Sequence, residues 1–243
     1  MKRLIAVGDI HGQYRMLVDL MAQIKPGDED QLVFLGDYID RGSGSPAVID
    51  WLIDFKQHYP QTVFLRGNHE QMLLDAVAAA KHKQNGRNNF IADFLALQGR
   101  DLPPPVFYFI SCGGMETLKA YCHASEVDIC SALNSLPQAH LDFLNTTKFY
   151  WNYQKFMFVH AGVDPKDPTG EKDQNDAFLW QRKPLWKKAK GWDRLVVHGH
   201  TPVCEPLVSD TEINLDTGAG YNACLTACDL LQMHFWQIAI KPN

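Results

Sequence analysis

The sequence predicts an α/β fold in which helices cover a parallel sheet and the functional groups lie beyond the carboxyl ends of the strands. Three observations carry this expectation. Five short, continuously apolar, β-prone runs each end in a glycine-containing cluster of Asp, Asn or His. Stretches of helical periodicity separate the first three runs. The C-terminal third instead alternates apolar and polar residues, as antiparallel strands with one wet face do.

Leu4 to Val7 forms the first run and leads into Gly8-Asp9-Ile10-His11-Gly12. Between Tyr14 and Ile24, residues Met16, Leu17, Leu20, Met21 and Ile24 fall at helical spacing. Leu32 to Leu35 precedes Gly36-Asp37, with Asp40-Arg41-Gly42 just beyond. Pro46 suits the first turn of a second helix bearing Val48, Ile49, Leu52, Ile53 and Phe55. Thr62 to Leu65 leads into Arg66-Gly67-Asn68-His69-Glu70, and a third helix is expected from near His69 through Ala80. This alternation implies parallel strands joined by right-handed crossovers, with sites at their carboxyl ends.

Residues 81–152 differ in character. They hold an Asn/Gly-rich stretch (Asn85 to Asn89), helical spacing from Phe90 to Leu97, and Pro103-Pro104-Pro105. They read as a mostly helical insertion or lid within one domain spanning residues 1–243. Phe156 to Val159 then precedes His160-Ala161-Gly162, and Leu195 to Val197 precedes His198-Gly199-His200-Thr201. From Thr211 to Ile240, with turn signals at Gly218 and Gly220, antiparallel strands are expected to complete a second sheet.

The formal net charge of -5 and pI near 6.0 argue against non-specific nucleic-acid binding, which needs a dense excess of Lys and Arg. The apolar run after Lys2 and Arg3 is too short for a secretion signal, and no run has the length to cross a bilayer. The six cysteines contain no Cys-x-x-Cys pair and read as reduced thiols. The expectation is a cytoplasmic protein with neither nucleic-acid nor membrane partners.

The pooled cluster residues Asp9, His11, Asp37, Asn68, His160 and His200 would be poorly solvated or mutually repulsive if brought together alone. Two divalent cations resolve this. Mixed oxygen and nitrogen ligands without thiolate suit Mn, Fe or Zn. Two such ions about 3.5–4 Å apart share a carboxylate and generate hydroxide near neutral pH. Asp37 is the candidate for the shared carboxylate.

These blocks, in this order and spacing, resemble the signature segments of the PPP-family metallophosphatases. Gly113-Gly114 with Thr117, and Asp216-Thr217-Gly218-Ala219, are similar to segments of the small bacterial and bacteriophage members. The resemblance implies the calcineurin-like metallophosphoesterase sandwich: two mixed β-sheets flanked by helices. It implies that Asp9 and His11 hold one metal, Asp37 bridges, and Asn68, His160 and His200 hold the other; the expected ion is Mn, with Fe or Zn as alternatives. The Gly-His-Thr-Pro pattern selects His200 over His198, which reads as structural.

Roles follow from phosphate chemistry. Arg41 and Arg66, within the matched blocks, are candidates to bind the phosphoryl oxygens and stabilise charge that develops on them, and Arg182 resembles the family's third phosphate-binding arginine. His69 is the candidate general acid, oriented by Asp40. The expected reaction is in-line attack by the shared hydroxide without a phosphoenzyme, on phosphoserine, phosphothreonine or phosphotyrosine of proteins or on small phosphomonoesters. Hydrolysis of dinucleoside polyphosphates or other nucleotides is the alternative. The intact Asp40-Arg41-Gly42 triplet weighs toward monoesters, because in the symmetrical dinucleoside-tetraphosphate hydrolases this triplet is not intact. A non-catalytic scaffold is the third reading, disfavoured because every expected position is filled.

Overall fold

The first strand shows why the apolar runs are continuous rather than alternating. Ile5 and Val7 pack on one face of β1 (Leu4–Val7), against helices, while Leu4 and Ala6 pack on the other, against a second sheet. With both faces buried, neither parity of position can be polar. The computed structural model describes residues 2–84, 104–169 and 176–240.

Two five-stranded mixed sheets stack face to face. The first has the order β10-β9-β1-β2-β3, with β1, β2 (Gln31–Phe34) and β3 (Val63–Phe64) parallel. The second has the order β4-β5-β6-β8-β7. In it β5 (Phe156–Val159), β6 (Leu195–His198) and β8 (Glu212–Asn214) are parallel. The short strands β4 (Tyr150–Tyr153) and β7 (Leu207–Val208) close its edges antiparallel. Between the sheets lie Leu4, Ala6, Val33, Leu35 and Leu65 from one side and Phe156, Phe158, Val197, Ile213 and Leu215 from the other.

The outer face of the first sheet is covered by α1 (Tyr14–Ile24), α2 (Ser45–His58) and α3 (Asn68–Gln84). The five residues at helical spacing in α1 are the ones it buries, and Pro46 stands in the first turn of α2. A helical group follows: α4 (Pro104–Phe109), a π-helical turn (Ile110–Gly114), α5 (Met115–Cys122), α6 (Ile129–Asn134) and α7 (Gln138–Asn145). Val106, Phe109, Leu118, Leu133 and Phe143 join it to the core of α2 and α3. The helical spacing noted from Phe90 to Leu97 lies outside the described residues. α8 (Asp176–Trp180) covers the second sheet through Phe178, beside Trp186.

The C-terminal hairpin departs from expectation. β9 (Cys224–Asp229) and β10 (His234–Ala239) do not extend the second sheet; β9 pairs antiparallel with β1 and completes the first. The physical reason is β1's second edge, whose backbone groups would otherwise be buried without partners. β9 is almost wholly buried and β10 is the partly exposed edge. Alternation reveals a half-wet strand but not which sheet it joins. Of the strands in the expected segment only β8 joins the second sheet, parallel to β6 and antiparallel to β7. Among the described residues, no helix is long and apolar enough to cross a membrane.

Candidate active site

Strand register delivers the polar loops to one end of the sandwich. Val7 pairs with Phe34 and Phe34 with Phe64, so Asp9, Asp37 and Asn68 emerge side by side. Phe158 opposite Val197 does the same for His160 and His200. These five residues are buried, as is His11 in the loop after β1.

Asp37 stands at the centre. Its Oδ2 lies 3.5 Å from His11 Nε2 and 3.8 Å from His69 Nε2, and its Oδ1 lies 3.3 Å from His160 Nε2. Asn68 Oδ1 is 2.9 Å from both His160 Nε2 and His200 Nδ1. Asp9 Oδ2 accepts from the backbone N–H of His200 at 3.0 Å. Two sets of ligand atoms each converge within 4.8 Å, one from His11, Asp37 and His69, the other from Asp37, His160 and His200. Asp37 belongs to both.

The backbone is bent to achieve this. His11, Asp37, Asp40, Arg41 and His200 all have positive φ, half of the ten such non-glycine residues among those described. This concentration of strain marks a site over-determined by its surroundings. Two glycines are required by contact. A Cβ at Gly199 would overlap the Asp9 carboxylate, and one at Gly67 would overlap that of Asp37. Glu70 locks the loops by accepting from the N–H groups of Asp37, Tyr38 and Gly67, each at 2.8 Å.

The charges are uncompensated by protein alone. Burial, then neighbouring Asp216, pushes the Asp9 carboxyl well above its usual range, and burial raises Glu70 to about 7 and Asp216 to about 6. Burial holds His11 well below its usual range, and burial with nearby His160 pulls His200 to about 3. Burial opposes the ionisation of Asp37, yet His160, His69 and His11 hold it well below the usual carboxylate range. Burial likewise opposes protonation of His160, but Asp37 outweighs it and raises His160 to about 10. Asp9 Oδ1 and His200 Nε2 are buried without a hydrogen-bond partner. Lone pairs left over on Asp9 and His200, the imidazoles of His11 and His200 kept neutral, and an Asp9 carboxylate short of positive charge are what a pair of divalent cations would satisfy, so the residues fit that group.

His69 Nδ1 lies 2.7 Å from Asp40 Oδ2. Burial works against a charged imidazole, but Asp37 and the Asp40 hydrogen bond prevail and raise His69 above its usual value. Arg41 approaches His11 Nε2 at 2.7 Å and His69 Nε2 at 3.2 Å, with its guanidinium 4.5 Å from the centre of the Tyr221 ring. A cation on His11 Nε2 would compete with Arg41 for one lone pair, so ligation there requires the guanidinium to turn away. Arg182 is exposed, and its charge contributes to lowering His200. His198 lies apart: its Nε2 is 3.7 Å from Glu212 Oε2 and its ring packs on Trp186.

Arg66 is placed otherwise than the phosphate-binding expectation suggests. Its guanidinium donates to Thr147 Oγ1 (3.0 Å), Gln71 Oε1 (2.9 Å) and the carbonyls of Leu144 and Asn145 (both 3.1 Å), and it lies over Phe149. These bonds tie the loop after β3 to the end of α7. Arg66→Met is therefore expected to destabilise the fold by about 2–3 kcal/mol, because the buried acceptors lose a charged donor. Urea titration checks this; an unchanged midpoint would leave Arg66 free for substrate.

The sequence alone assigns Thr117 no role and does not single out Tyr221. Thr117 was visible only as part of a segment resembling relatives, and neither residue follows an apolar strand, the signal that exposed the rest.

A family model described as calcineurin-like phosphoesterase matches residues 2–214. The chain is 27% identical to the asymmetrical bis(5'-nucleosyl)-tetraphosphatase PrpE of Oceanobacillus iheyensis over 245 residues, covering 97% of this chain and 91% of that protein. It is 48% identical to the PP2A-like serine/threonine-protein phosphatase PPG1 of Candida albicans over 65 residues, 26% of this chain and 16% of that protein. A solved structure provisionally described as a diadenosine tetraphosphatase superposes with a TM-score of 0.59 at 20% identity, covering 99% of this chain and 95% of that one.

Proposed function

The chain belongs to the calcineurin-like phosphoesterase family, and on that premise we propose that it hydrolyses dinucleoside polyphosphates or related nucleotides with a pair of divalent cations. The observation that carries the metal-dependent reading is the shared position of Asp37 in two converging ligand sets. Asp9 and His11 would hold one ion, Asn68, His160 and His200 the other, with Asp37 between them; Mn, Fe and Zn all suit this donor set. When bound, such ions supply Lewis-acid stabilisation of the phosphoryl group and acidify water. The protein's own groups do the rest. Arg41, against His11 and His69, and Arg182, whose charge is felt at His200, would balance charge on the phosphoryl oxygens. His69, with Nδ1–H given to Asp40, turns Nε2 toward the cluster to hand a proton to the departing oxygen.

The substrate reading is supported by the relative that aligns along almost the whole chain, whereas the protein-phosphatase relative aligns along a quarter of it. One observation favours a second reading, hydrolysis of phosphomonoesters including those of phosphoproteins. The buried His69–Asp40 pair suits an alkoxide or phenoxide leaving group, which needs a proton more than a departing nucleotide phosphate does. With Mn added, kcat/KM for diadenosine tetraphosphate is expected to exceed that for phosphoserine, phosphothreonine and phosphotyrosine peptides by at least about tenfold. The reverse order would replace the first reading by the second.

A further inference from the structure

Asp40 is held by more than the histidine it orients. Thr117, fully buried on α5 and 77 residues away in sequence, places Oγ1 2.6 Å from Asp40 Oδ1 and 3.0 Å from the Asp40 backbone nitrogen. Ser45 Oγ lies 3.0 Å from Thr117 Oγ1 and 3.1 Å from the same backbone nitrogen. A hydroxyl has one proton to give. Asp40 Oδ1 accepts it from Thr117, so in the Ser45–Thr117 pair Ser45 is the donor, at 3.0 Å against 3.4 Å to its other acceptor, Gly42 O, and the Asp40 N–H is shared between the two hydroxyl oxygens. Asp40 Oδ2 remains for His69 Nδ1–H. Both carboxylate oxygens are thereby fixed, and with them the plane of the carboxylate.

A threonine within a helix ordinarily turns its hydroxyl back to the carbonyl one turn earlier. Thr117 instead points out of α5 at a residue in the loop after β2. The same segment supports the neighbouring turn, because Arg41 N–H donates to Gly113 O at 3.3 Å. Asp40 and Arg41 both have positive φ, a conformation that needs such outside support.

We propose that Thr117 is a positioning residue for the proton donor His69, acting through Asp40. The helical segment that carries it is thus part of the leaving-group apparatus as well as a neighbour of the site. The kinetic consequence rests on the donor role given to His69 above; the placement of the imidazole does not.

Three measurements on the Mn-loaded protein and one on the metal-free protein test this. Thr117→Val keeps the side-chain shape but removes the donor. It is expected to lower kcat for phenyl phosphate about 10- to 100-fold and for 2,4-dinitrophenyl phosphate less than about threefold, with KM little changed. Thr117→Ser, which keeps the hydroxyl, restores most of the loss. In an Asp40→Asn background, Thr117→Val adds nothing further, since the two residues act as one unit. In the metal-free protein, the His69 Nδ1–H resonance shifts or broadens in Thr117→Val but not in Thr117→Ser. Thr117→Ala gives the same pattern if valine packs badly. Equal losses on both leaving groups, additivity with Asp40→Asn, or an unmoved resonance would each overturn the proposal. If His69→Ala itself shows no leaving-group dependence, the donor reading fails, and the resonance alone decides whether Thr117 places the imidazole.

Discussion

Replacing His69 by alanine is expected to lower kcat for phenyl phosphate by about 10²–10⁴-fold while two metal ions stay bound. The residue adjoins the proposed ligand Asn68, and its Nε2 stands 3.8 Å from Asp37 Oδ2. Proximity alone would therefore allow it to be a ligand, and one of the two converging sets includes it. What assigns it to proton transfer is its other nitrogen, engaged at 2.7 Å by the fully buried Asp40. That partner holds the ring in one orientation and favours its protonated form. The loss should shrink as the leaving group becomes more acidic, and it should be small for diadenosine tetraphosphate, whose leaving phosphate is a weak base. Metal analysis alongside the kinetics separates the two roles. A fall in bound metal would make His69 a ligand and withdraw the donor assignment, and with it the kinetic part of the argument for Thr117.

Much of this was legible in the chain because local and global signals agree. A run such as Leu4 to Val7 is apolar at every position, and only a strand buried on both faces needs that. The polar residues that follow such runs then fall at one end by register, which is why the chain alone already groups Asp9, His11, Asp37, Asn68, His160 and His200 as neighbours. Three things were not legible. The partner of β9 depends on which sheet edge is free, a property of the assembled sandwich. The bonding of Arg66 depends on where the end of α7 comes to rest, 78 residues further on. Thr117 serves Asp40 across 77 residues, and nothing in a helix of ordinary composition announces that its hydroxyl points elsewhere.

The largest expected effect on composition rather than rate belongs to Asp37. Asp37→Asn keeps the side-chain volume and the backbone bonds that seat it, in which its N–H donates to Glu70 Oε2 at 2.8 Å. It removes the charge toward which His11, His69 and His160 all lean. Bound metal should fall from two ions to one or none per chain, with affinity for the remaining ion reduced by more than about 100-fold. Loss of metal without loss of fold is the informative result, so far-UV circular dichroism accompanies the metal analysis. The wild-type protein should also lose metal as pH falls, because protons and cations compete for the same imidazole nitrogens. Two ions retained by Asp37→Asn at unchanged affinity would mean that the paired cations do not share this carboxylate. The convergence of both ligand sets on it would then be a feature of packing, and the two-metal account of the site would have to be rebuilt around Asp9 and Asn68.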